Sequence, residues 1–469
     1  HPDITRFSIL DFDKGEAIID SGVVATQKRF NELKELAQRQ QHHEKKVKIP
    51  KIDSIQISGL TIEGNNSYPR SYILGKLKLQ YFTKFSFHDL GVGLNNLSAT
   101  GNFDRINYTL IPNDTDAYYT LALQIEESEN KTFLRLALHY DPVYKSGALI
   151  NLTRKSLLFT NDVASLDVIF GDNLRYTFDY YIDKGYYWSI GFHSRYNSFN
   201  RGISFDFARE NAELEDIGLN KIEVTYEDFT NQFYVETLFK QVFSFGMGAE
   251  QKYLKIMSET LGDDPVQNPV FENNNYYSSF GYLKFDSYDN KYFPRKGFYF
   301  DGDFHLYLFS SRAENDFAEF SVAKGKIGYA VTPFNRLTAR ISNEAGFKIG
   351  NNGINTLDFF LGGYGNNFIN NFVPFYGYDF ISLSGDSYIK GLLELDYEIF
   401  RKNHLIASAN FANVGNQLYS SGNWLQWPDY SGYALGYGIE TFLGPLEVKY
   451  SYSPEVKQSQ WYVSLGFWF

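Results

Sequence analysis

The sequence predicts an antiparallel transmembrane β-barrel preceded by one small α+β domain. Tyr, Phe and Trp form 18% of the 469 residues, yet no window approaches the roughly 18 consecutive apolar residues of a helical membrane span. From Phe133 onward many segments alternate apolar and polar residues with a period of two, and the chain ends on an aromatic strand. A barrel strand needs only about 10 residues, of which every second one faces lipid. Composition alone also fits a soluble all-β protein, so the alternation and the last strand carry the prediction.

Composition restricts the function classes further. The absence of Cys excludes disulfides and thiolate metal sites, and the net charge of −11 argues against a nucleic-acid partner. The chain begins at His1 rather than Met. Because a barrel must be exported with a targeting segment, we expect the sequence to be a processed or truncated product.

Residues 1–41 differ in composition from the rest of the chain. Residues 4–10 form a short strand-like apolar run, and Asp20 or Ser21 can cap a following helix. That helix would carry an apolar face made of Val23, Thr26, Phe30, Leu33 and Ala37. One strand and one helix cannot bury a core, so we interpret residues 1–41 as the end of a larger domain and residues 42–51 as a linker.

Residues 52–130 predict a compact domain with the element order β-α-α-β-β. A first strand ends at Gly59, Pro69 suits the first turn of a helix, and Ser86 and Asp89 form a capping box for a second helix. Two alternating strands follow, at residues 103–110 and 119–125. This order resembles that of a POTRA domain, a periplasmic module of outer-membrane assembly and translocation proteins.

Residues 131–469 predict the barrel itself. We expect about 16 to 18 strands, and closure of a single-chain bacterial barrel needs an even number. In residues 389–399 the apolar side chains share one face, and Glu394, Asp396 and Glu398 share the other. Lipid cannot solvate charges, so these three carboxylates are predicted to face the lumen.

The last strand is the most specific local signal. Trp461, Val463, Leu465, Phe467 and Phe469 fall on one face, and Phe469 ends the chain. Outer-membrane barrels commonly end in this way, because the assembly machinery binds the terminal aromatic strand by β-pairing. We therefore predict that these five residues form the barrel-assembly signal.

The barrel segment resembles the BamA/TamA-type superfamily of outer-membrane POTRA–β-barrel proteins. Residues 288–297 resemble the family's motif at a strand start, an Asp-Asn followed by Phe-Pro-x-x-Gly. The matching residues are Asp289, Asn290, Phe293, Pro294 and Gly297. Residues 436–450 resemble the family's penultimate hairpin, and the resemblance implies a barrel of about 16 strands.

A loop of roughly forty residues, 349–386, separates two predicted strands, and a loop of that length is usually functional or disordered. It takes the place of the family's sixth extracellular loop, which folds into the lumen with a Val-Arg-Gly-Phe/Tyr motif. The corresponding residues here are Phe375, Tyr376, Gly377 and Tyr378, of which Gly377 and the aromatic Tyr378 match the motif, whereas Tyr376 replaces the Arg.

We expect this loop to enter the lumen, because so many aromatic side chains would be costly on a solvated tip. Without the Arg, the anchor should be aromatic packing, with the Tyr376 hydroxyl hydrogen-bonded to Glu394, Asp396 or Glu398. The alternative is a disordered external loop.

Residues 9–22, followed by Ala25 and a helix, are similar to the end of a patatin-like phospholipase domain. Residues 138–154 resemble the first barrel hairpin of the PlpD-like family, which joins patatin, POTRA and barrel in one chain. The resemblance implies that the intact protein is a serine hydrolase. The sequence contains no Gly-x-Ser-x-Gly nucleophile elbow, so we expect no catalytic residue within this chain.

No other catalytic site, metal site or cofactor is predicted. His42 and His43 adjoin a Lys-rich linker, which favours a solvated segment over a metal site. Asp301 and Asp303 share one strand face, so lumen polarity explains them better than acid–base chemistry. The Gly-rich residues 362–365 follow no βα pattern and do not predict a phosphate site.

Three functions remain open on the sequence alone. The first is an outer-membrane module that anchors or translocates an N-terminal patatin-like lipase domain, in the manner of type V secretion. The second is a general outer-membrane protein insertion factor of the BamA/TamA type, and the third is a passive porin. The general factors carry several POTRA domains, and a porin needs neither a POTRA domain nor a lumen loop, which favours the first function.

The expected location is the bacterial outer membrane, with the POTRA domain in the periplasm. The expected partners are outer-membrane lipid, the barrel-assembly machinery at the last strand, and extended client or passenger segments at the POTRA domain. The sequence leaves a homodimer open.

Overall fold

The structure of the protein is a computed structural model. It describes residues 2–7, 14–40, 54–78, 84–113, 118–184, 188–205, 208, 219–239, 242–261, 270–311, 317–350, 355–365, 371–441 and 443–467. The chain divides into two compact units, His1–Ile55 and Gln56–Phe469. Within the described residues, no helix is both long enough and apolar enough to cross a membrane.

In its described residues the first unit contains two helices, Gly15–Gln27 (α1) and Phe30–Gln40 (α2). The prediction that Asp20 or Ser21 caps a helix is wrong, because α1 begins before both residues. The Ser21 hydroxyl instead donates to the Ala17 carbonyl at 2.9 Å. A Ser inside a helix commonly forms this hydrogen bond to the carbonyl four residues earlier. Residues 16–19 are compatible with a helix and extend it toward the N-terminus by more than one turn.

The predicted strand-like run at residues 4–10 is wrong where the structure describes it. Residues 2–7 contain a turn in place of a strand. The Asp3 carboxylate accepts the Thr5 backbone N–H at 3.1 Å and the Thr5 hydroxyl at 2.6 Å, a local bonding pattern that favours turns over strands. Residues 8–10 and the predicted linker, 42–51, lie outside the described residues.

An α+β domain follows, as predicted, and its elements come in the predicted order β-α-α-β-β with one short strand added between the two helices. Its elements are β1 Ser54–Glu63, α3 Arg70–Leu77, β2 Lys84–Ser86, α4 Phe87–Ala99, β3 Phe103–Pro112 and β4 Tyr118–Glu127. The sheet has the order β2-β1-β4-β3, with β1 parallel to β4 and β3 antiparallel to β4. The three-residue edge strand β2 is an addition that the sequence pattern does not predict.

Two acidic side chains hold the turns of this domain. Asp89 and Ser86 form the predicted capping box of α4, in which the Ser86 hydroxyl accepts the Asp89 N–H at 3.0 Å. The Glu127 carboxylate accepts the backbone N–H groups of residues 66–68. Burial alone would raise the pKa of Glu127, but these donors outweigh burial and lower the pKa. The turn is therefore held at neutral pH and loosens as the pH falls through this lowered pKa.

Sixteen antiparallel strands then form a closed barrel, which confirms the predicted fold. In chain order they are β5 Thr132–Asp141, β6 Lys145–Lys155, β7 Asp162–Gly171, β8 Arg175–Ile182, β9 Trp188–Ser204, β10 Lys221–Phe239, β11 Phe243–Met257, β12 Val270–Asp286, β13 Gly297–Ser310, β14 Phe320–Phe334, β15 Leu337–Ile349, β19 Ser387–Phe400, β20 Asn403–Gly415, β21 Tyr430–Thr441, β22 Gly444–Ser453 and β23 Gln458–Gly466. Three short strands between β15 and β19, which are β16 Phe359–Leu361, β17 Phe372–Val373 and β18 Leu383–Gly385, form a separate sheet of order β17-β16-β18. A four-residue helix, α5 Leu418–Ser421, lies between β20 and β21.

The connections between strands define two ends of the barrel. The α+β domain leads directly into β5, so we call the end at which β5 begins the near end and the opposite end the far end. Successive connections then alternate, with residues 142–144 at the far end and residues 156–161 at the near end. By the same alternation, the long connection 350–386 starts and finishes at the far end.

Side chains of the wall alternate between an apolar outer face and a polar lumen. On β5, Leu134, Leu136 and Leu138 are 66%, 71% and 56% exposed on the outer face. Arg135 and His139 point inward, where Arg135 hydrogen-bonds to the neighbouring strand and His139 is buried. This arrangement suits a wall that meets lipid on one side only.

Replacing Leu136 by Arg tests the lipid-facing register of β5. A cation on the lipid face near the bilayer midplane costs about 2–4 kcal/mol, so Leu136→Arg should lower the free energy of unfolding by that amount in a refolding titration. Leu136→Ala is the matched control, because it removes apolar area without adding a charge. An unchanged free energy of unfolding for Leu136→Arg would contradict the register.

Candidate functional site in the barrel lumen

The connection 350–386, which we call the lumen loop, packs inside the barrel. Its described parts contain a 3-10 turn at Asn355–Leu357 and the sheet β17-β16-β18. Apolar side chains of this sheet share one core with inward-facing rings of the wall. The loop contributes Leu357, Phe359, Leu361, Val373, Phe375, Tyr378 and Phe380, the far-end connection 142–144 contributes Tyr144, and the wall contributes Phe199, Tyr226, Tyr276, Tyr307, Phe320 and Tyr388, among others.

The tip of the lumen loop lies against the inner wall, and all four predicted motif residues, 375–378, are buried there. The Tyr376 backbone N–H donates to the side-chain oxygen of Asn410 on β20 at 2.7 Å. The Lys390 ammonium on β19 donates to the Pro374 carbonyl at 3.0 Å. Hydrogen bonds between the wall and the loop backbone therefore fix the position of the motif.

Two glycines allow the tip to touch the wall. Gly377 adopts a φ of +82°, and a Cβ at this position would lie 2.6 Å from the backbone nitrogen of Ser453. On β21, Gly432 faces the tip, and a Cβ there would lie 1.9 Å from the Tyr376 carbonyl oxygen. The loop and the wall therefore approach more closely than any side chain would permit.

A buried lysine on β22 connects the loop tip to the wall. The Lys449 side chain is 4% exposed, and its ammonium lies 3.0 Å from the Glu447 carboxylate and 3.9 Å from the Glu394 carboxylate. It also donates to the hydroxyls of two loop tyrosines, Tyr364 and Tyr376, the second at 3.3 Å. Four polar partners thus surround one cation, as the burial of a charge requires.

The sequence predicts that the Tyr376 hydroxyl bonds to a carboxylate of β19, and this predicted partner is wrong. The Tyr376 hydroxyl accepts a hydrogen bond from Lys449, and it is Lys449 that approaches Glu394. The predicted aromatic packing is present, since Tyr364 and Tyr376 stack with ring centroids 5.0 Å apart and Lys449 lies over both rings. Sequence reasoning missed Lys449 and Tyr364, although Glu447 and Lys449 share the polar face of an alternating segment.

The three predicted lumen carboxylates lie on the inner face of β19 and have different partners. The Arg340 guanidinium of β15 lies 3.8 Å from Glu394 and 3.7 Å from Asp396. Glu398, closest to the near end, pairs with Arg295 at 3.1 Å. Arg340 of the wall and Arg295 of a near-end turn therefore supply the positive charges that pair with these carboxylates. Sequence reasoning singled out neither arginine.

The predicted strand-start motif forms the near-end turn between β12 and β13. Asp289 and Asn290 each accept two backbone N–H groups from the residues that follow, at 2.8 to 3.2 Å. Pro294 is buried, and Gly297 begins β13. These bonds close the turn and fix its direction.

This turn inserts the Phe293 ring into the lumen. Phe293 is 1% exposed and stacks on the His404 ring, with centroids 4.3 Å apart and planes 5° apart. The edge of the His404 ring contacts carboxylates, because Nδ1 lies 2.9 Å from Asp396 and Nε2 lies 3.3 Å from Glu440. The strand-start motif and the lumen carboxylates, which are separate in sequence, therefore form one connected cluster.

The barrel closes at a short seam between β5 and β23. Within the described residues only two pairs join these strands, Leu465 with Tyr140 and Gly466 with His139. All other neighbouring strands share more pairs. The number ranges from seven, between β8 and β9, to seventeen, between β9 and β10. Among the residues that the structure describes, the seam therefore has the fewest paired residues of any two neighbouring strands in the wall.

The last strand presents the predicted assembly signal on its outer face. Trp461, Val463 and Phe467 are 70%, 39% and 40% exposed, and Leu465 lies on the same face. Phe469 lies outside the described residues. The described residues of the predicted signal therefore lie on the surface of the barrel that meets lipid.

The inner face of the last strand contacts the lumen loop. Tyr462 packs edge-on against Tyr364, with ring centroids 3.9 Å apart. Because Tyr364 also bonds to Lys449, the loop contacts both the buried cation and the strand that forms the seam. Sequence reasoning placed Tyr364 in a Gly-rich segment of no assigned role and missed this contact.

Two polar cavities lie beside the lumen loop. Lys449 and its partners border one of about 220 Å³, and the other, of about 410 Å³, is lined by polar and titratable side chains that include Arg195, Glu250, Lys252 and His305. In the part of the chain that the structure describes, no group of three or more His, Cys, Asp or Glu side chains is placed to hold a metal ion.

The fold and the site define a bacterial outer-membrane barrel with a loop folded into its lumen. Residues 119–469 match the OMP85 superfamily, so the chain belongs to that superfamily, which implies a place in the bacterial outer membrane. No curated protein matches the sequence.

The solved structures that share this fold include the following two. The chain is similar to BamA from Haemophilus ducreyi lacking POTRA domains 1–3, with 13% identity, a TM-score of 0.61 and coverage of 88% of this chain and 85% of that one. It is also similar to CdiB from Acinetobacter baumannii, with 14% identity, a TM-score of 0.54 and coverage of 88% and 73%. These findings confirm a BamA-like barrel, and they do not show the patatin-like association.

Gly432→Ala should displace the loop tip, because the added Cβ would lie 1.9 Å from the Tyr376 carbonyl oxygen. In a chain carrying Tyr376→Cys, a membrane-impermeant maleimide should label slowly, and Gly432→Ala should accelerate the labelling. Gly325→Ala is the matched control, since a Cβ there meets nothing within 4 Å. Labelling of Tyr376→Cys alone as fast as that of Lys457→Cys, on an exposed far-end turn, would contradict the lumen position.

Proposed function

We propose that this chain is an outer-membrane module that anchors or translocates an N-terminal patatin-like lipase domain, in the manner of type V secretion. The proposal has a general part, the handling of polypeptide at a β-barrel, and a specific part, the identity of that polypeptide. Membership of the OMP85 superfamily and the short seam support the general part. The resemblance of residues 9–22 to the end of a patatin-like domain supports the specific part.

The short seam is the single observation that carries the general part. A strand edge with unpaired N–H and C=O groups can accept an extended segment by β-pairing. Within the described residues two pairs join β5 to β23, so separation of these strands would break few hydrogen bonds and would expose the β5 edge for such pairing. The chemistry of the seam therefore favours a polypeptide partner over a small solute.

The filled lumen argues against the third candidate, a passive porin. The lumen loop shares a core with rings from the wall, and its tip is hydrogen-bonded to β19 and β20. A porin of comparable strand number keeps a water-filled channel. Here protein side chains occupy much of that space.

We assign the α+β domain the role of a periplasmic POTRA domain that receives client or passenger segments. Strand β3, ten residues long, is an edge of its sheet. Tyr108 and Ile111 on this strand are 46% and 47% exposed. An extended segment could add to this edge by main-chain hydrogen bonds before it reaches the seam.

The second candidate is a general outer-membrane insertion factor. The same seam would serve it, and the fold that the chain shares with BamA favours it. The two candidates differ in their client, which is one attached domain in the first and many separate barrels in the second. An assay of each client therefore separates them.

A disulfide across the seam tests the general part. Tyr140 and Leu465 are paired across the seam, and both lie on the outer face, so Tyr140→Cys with Leu465→Cys can form a disulfide. In cells producing the full-length protein, we expect oxidation to block delivery of the N-terminal domain, measured by protease accessibility in intact cells, and reductant to restore it.

The matched control is Val448→Cys with Val463→Cys, which joins β22 and β23 where the strands are already paired. It should form a disulfide without affecting delivery. Full delivery with the seam locked would contradict a role of the seam. A locked seam that blocks insertion of unrelated barrels but leaves the attached domain unaffected would favour the second candidate.

The specific part predicts where hydrolase activity resides. This chain lacks a nucleophile elbow, so a fluorophosphonate probe should not label the purified 469-residue protein. The full-length gene product should be labelled at one Ser outside these residues. Labelling of a single Ser within this chain, or no labelling of the full-length product, would contradict the patatin assignment.

A further inference from the structure

Three consecutive apolar side chains are exposed at the near end of the barrel. Leu157, Leu158 and Phe159 lie in the connection between β6 and β7, residues 156–161, which we call the apolar turn. They are 51%, 72% and 57% exposed. Contiguous exposed apolar side chains on an ordered turn are unfavourable in water and commonly mark a contact surface.

The apolar turn is held rigidly by one carboxylate. Asp162, only 1% exposed, accepts the backbone N–H groups of residues 157, 158 and 159 at 2.6, 2.8 and 2.8 Å. The Ser156 backbone N–H donates to the Asp162 carbonyl at 3.0 Å, and the Ser156 hydroxyl donates to the Thr160 carbonyl at 2.8 Å. The three side chains are therefore presented in a fixed geometry.

The turn folds outward, over the lipid-facing wall. Leu166 of β7 is paired with Leu152 of β6, which is exposed on the outer face. Alternate positions of a strand share a face, so Asp162 lies on the outer face with Leu166. Tyr180, on the outer face of β8, donates its hydroxyl to Asp162 at 2.6 Å. The carboxylate that organises the turn is thus on the outer side of the rim, and the turn continues the apolar outer wall.

We propose that the apolar turn inserts into the boundary between lipid headgroups and acyl chains in the leaflet on the near side. Continuity with the lipid-facing wall makes lipid the occupant of this surface. Arg154, exposed on the outer face next to the turn, suits a lipid phosphate at the headgroup level. A rigid apolar turn flanked by a cation is the arrangement that binds at a membrane interface.

The same rim holds the α+β domain. The Lys155 ammonium, at the end of β6, donates to the Thr100 carbonyl of that domain at 2.7 Å. On the neighbouring near-end connection, Asp183 pairs with Lys76 of α3 at 2.5 Å. A turn fixed in the interface therefore also fixes the distance of the α+β domain from the membrane.

A fluorescent probe can measure the depth of the turn directly, because the chain contains no native Cys. Leu158→Cys would be labelled with an NBD fluorophore and reconstituted in phosphatidylcholine vesicles that contain no other protein. The acyl chains carry bromine either near the headgroup or near the chain end. Leu136→Cys on the mid-wall is the lipid control, and Asn95→Cys, exposed on α4, is the aqueous control.

We expect the probe at position 158 to emit at shorter wavelength than the probe at position 95. Bromine near the headgroup should reduce its emission more than bromine near the chain end, with the opposite order at position 136. The proposal would be overturned if the probe at position 158 emitted at the same wavelength as the probe at position 95 and neither bromine position reduced its emission. Emission at 158 that changes only when an unfolded polypeptide is added would also overturn it and would assign the turn to a client.

Two further variants keep the test decisive. If Leu158→Cys does not fold, as judged by heat-modifiable migration on gels, Phe159→Cys probes the same turn. Asp162→Asn should weaken the carboxylate that organises the turn and reduce the difference in quenching by the two bromine positions. Because the vesicles contain only lipid, the result does not depend on the identity of the translocated domain.

Discussion

The buried ammonium of Lys449 is the interaction on which the arrangement of the lumen depends. A cation withdrawn from water must be compensated by nearby acceptors, or it destabilises the fold. Its partners are Glu447 on the same strand, Glu394 on β19, and Tyr364 and Tyr376 of the lumen loop. Withdrawal of the loop would remove two of these four partners, so the wall and the loop hold each other in place.

Lipid imposes the complementary constraint from outside. Each strand must present apolar side chains to lipid, so its polar side chains face the lumen. A barrel of sixteen strands has a lumen that is too wide for the side chains of the wall to fill. The lumen loop fills that space with aromatic rings. One of them, Tyr364, packs on Tyr462 of the last strand, next to the seam. The element that fills the barrel therefore lies against the strand that, in its described residues, has only two pairs across the seam.

Period-two alternation suffices to predict the wall, because strand geometry fixes the direction of each side chain. It places the carboxylates of β19 inward but cannot identify Arg340 and Lys449 as their partners, since these come from other strands whose register depends on closure of the barrel. Helix α1 shows a different limit of prediction from sequence patterns. Ser21 is a residue type that favours helix caps, yet it also fits a helix interior when its hydroxyl bonds backward. Patterns therefore predict faces better than they predict partners or boundaries.

Hydrogen exchange at the loop tip tests the central claim most directly. In the folded barrel, the backbone amides of residues 375–378 should exchange slowly, and Lys449→Met should accelerate them while amides of β13 remain unchanged. Lys457→Met, on the exposed turn 454–457, is the control and should have no effect at the tip. Exchange at 375–378 that is as fast as in the turn 454–457 of the unsubstituted protein would contradict a loop held in the lumen by the buried cation.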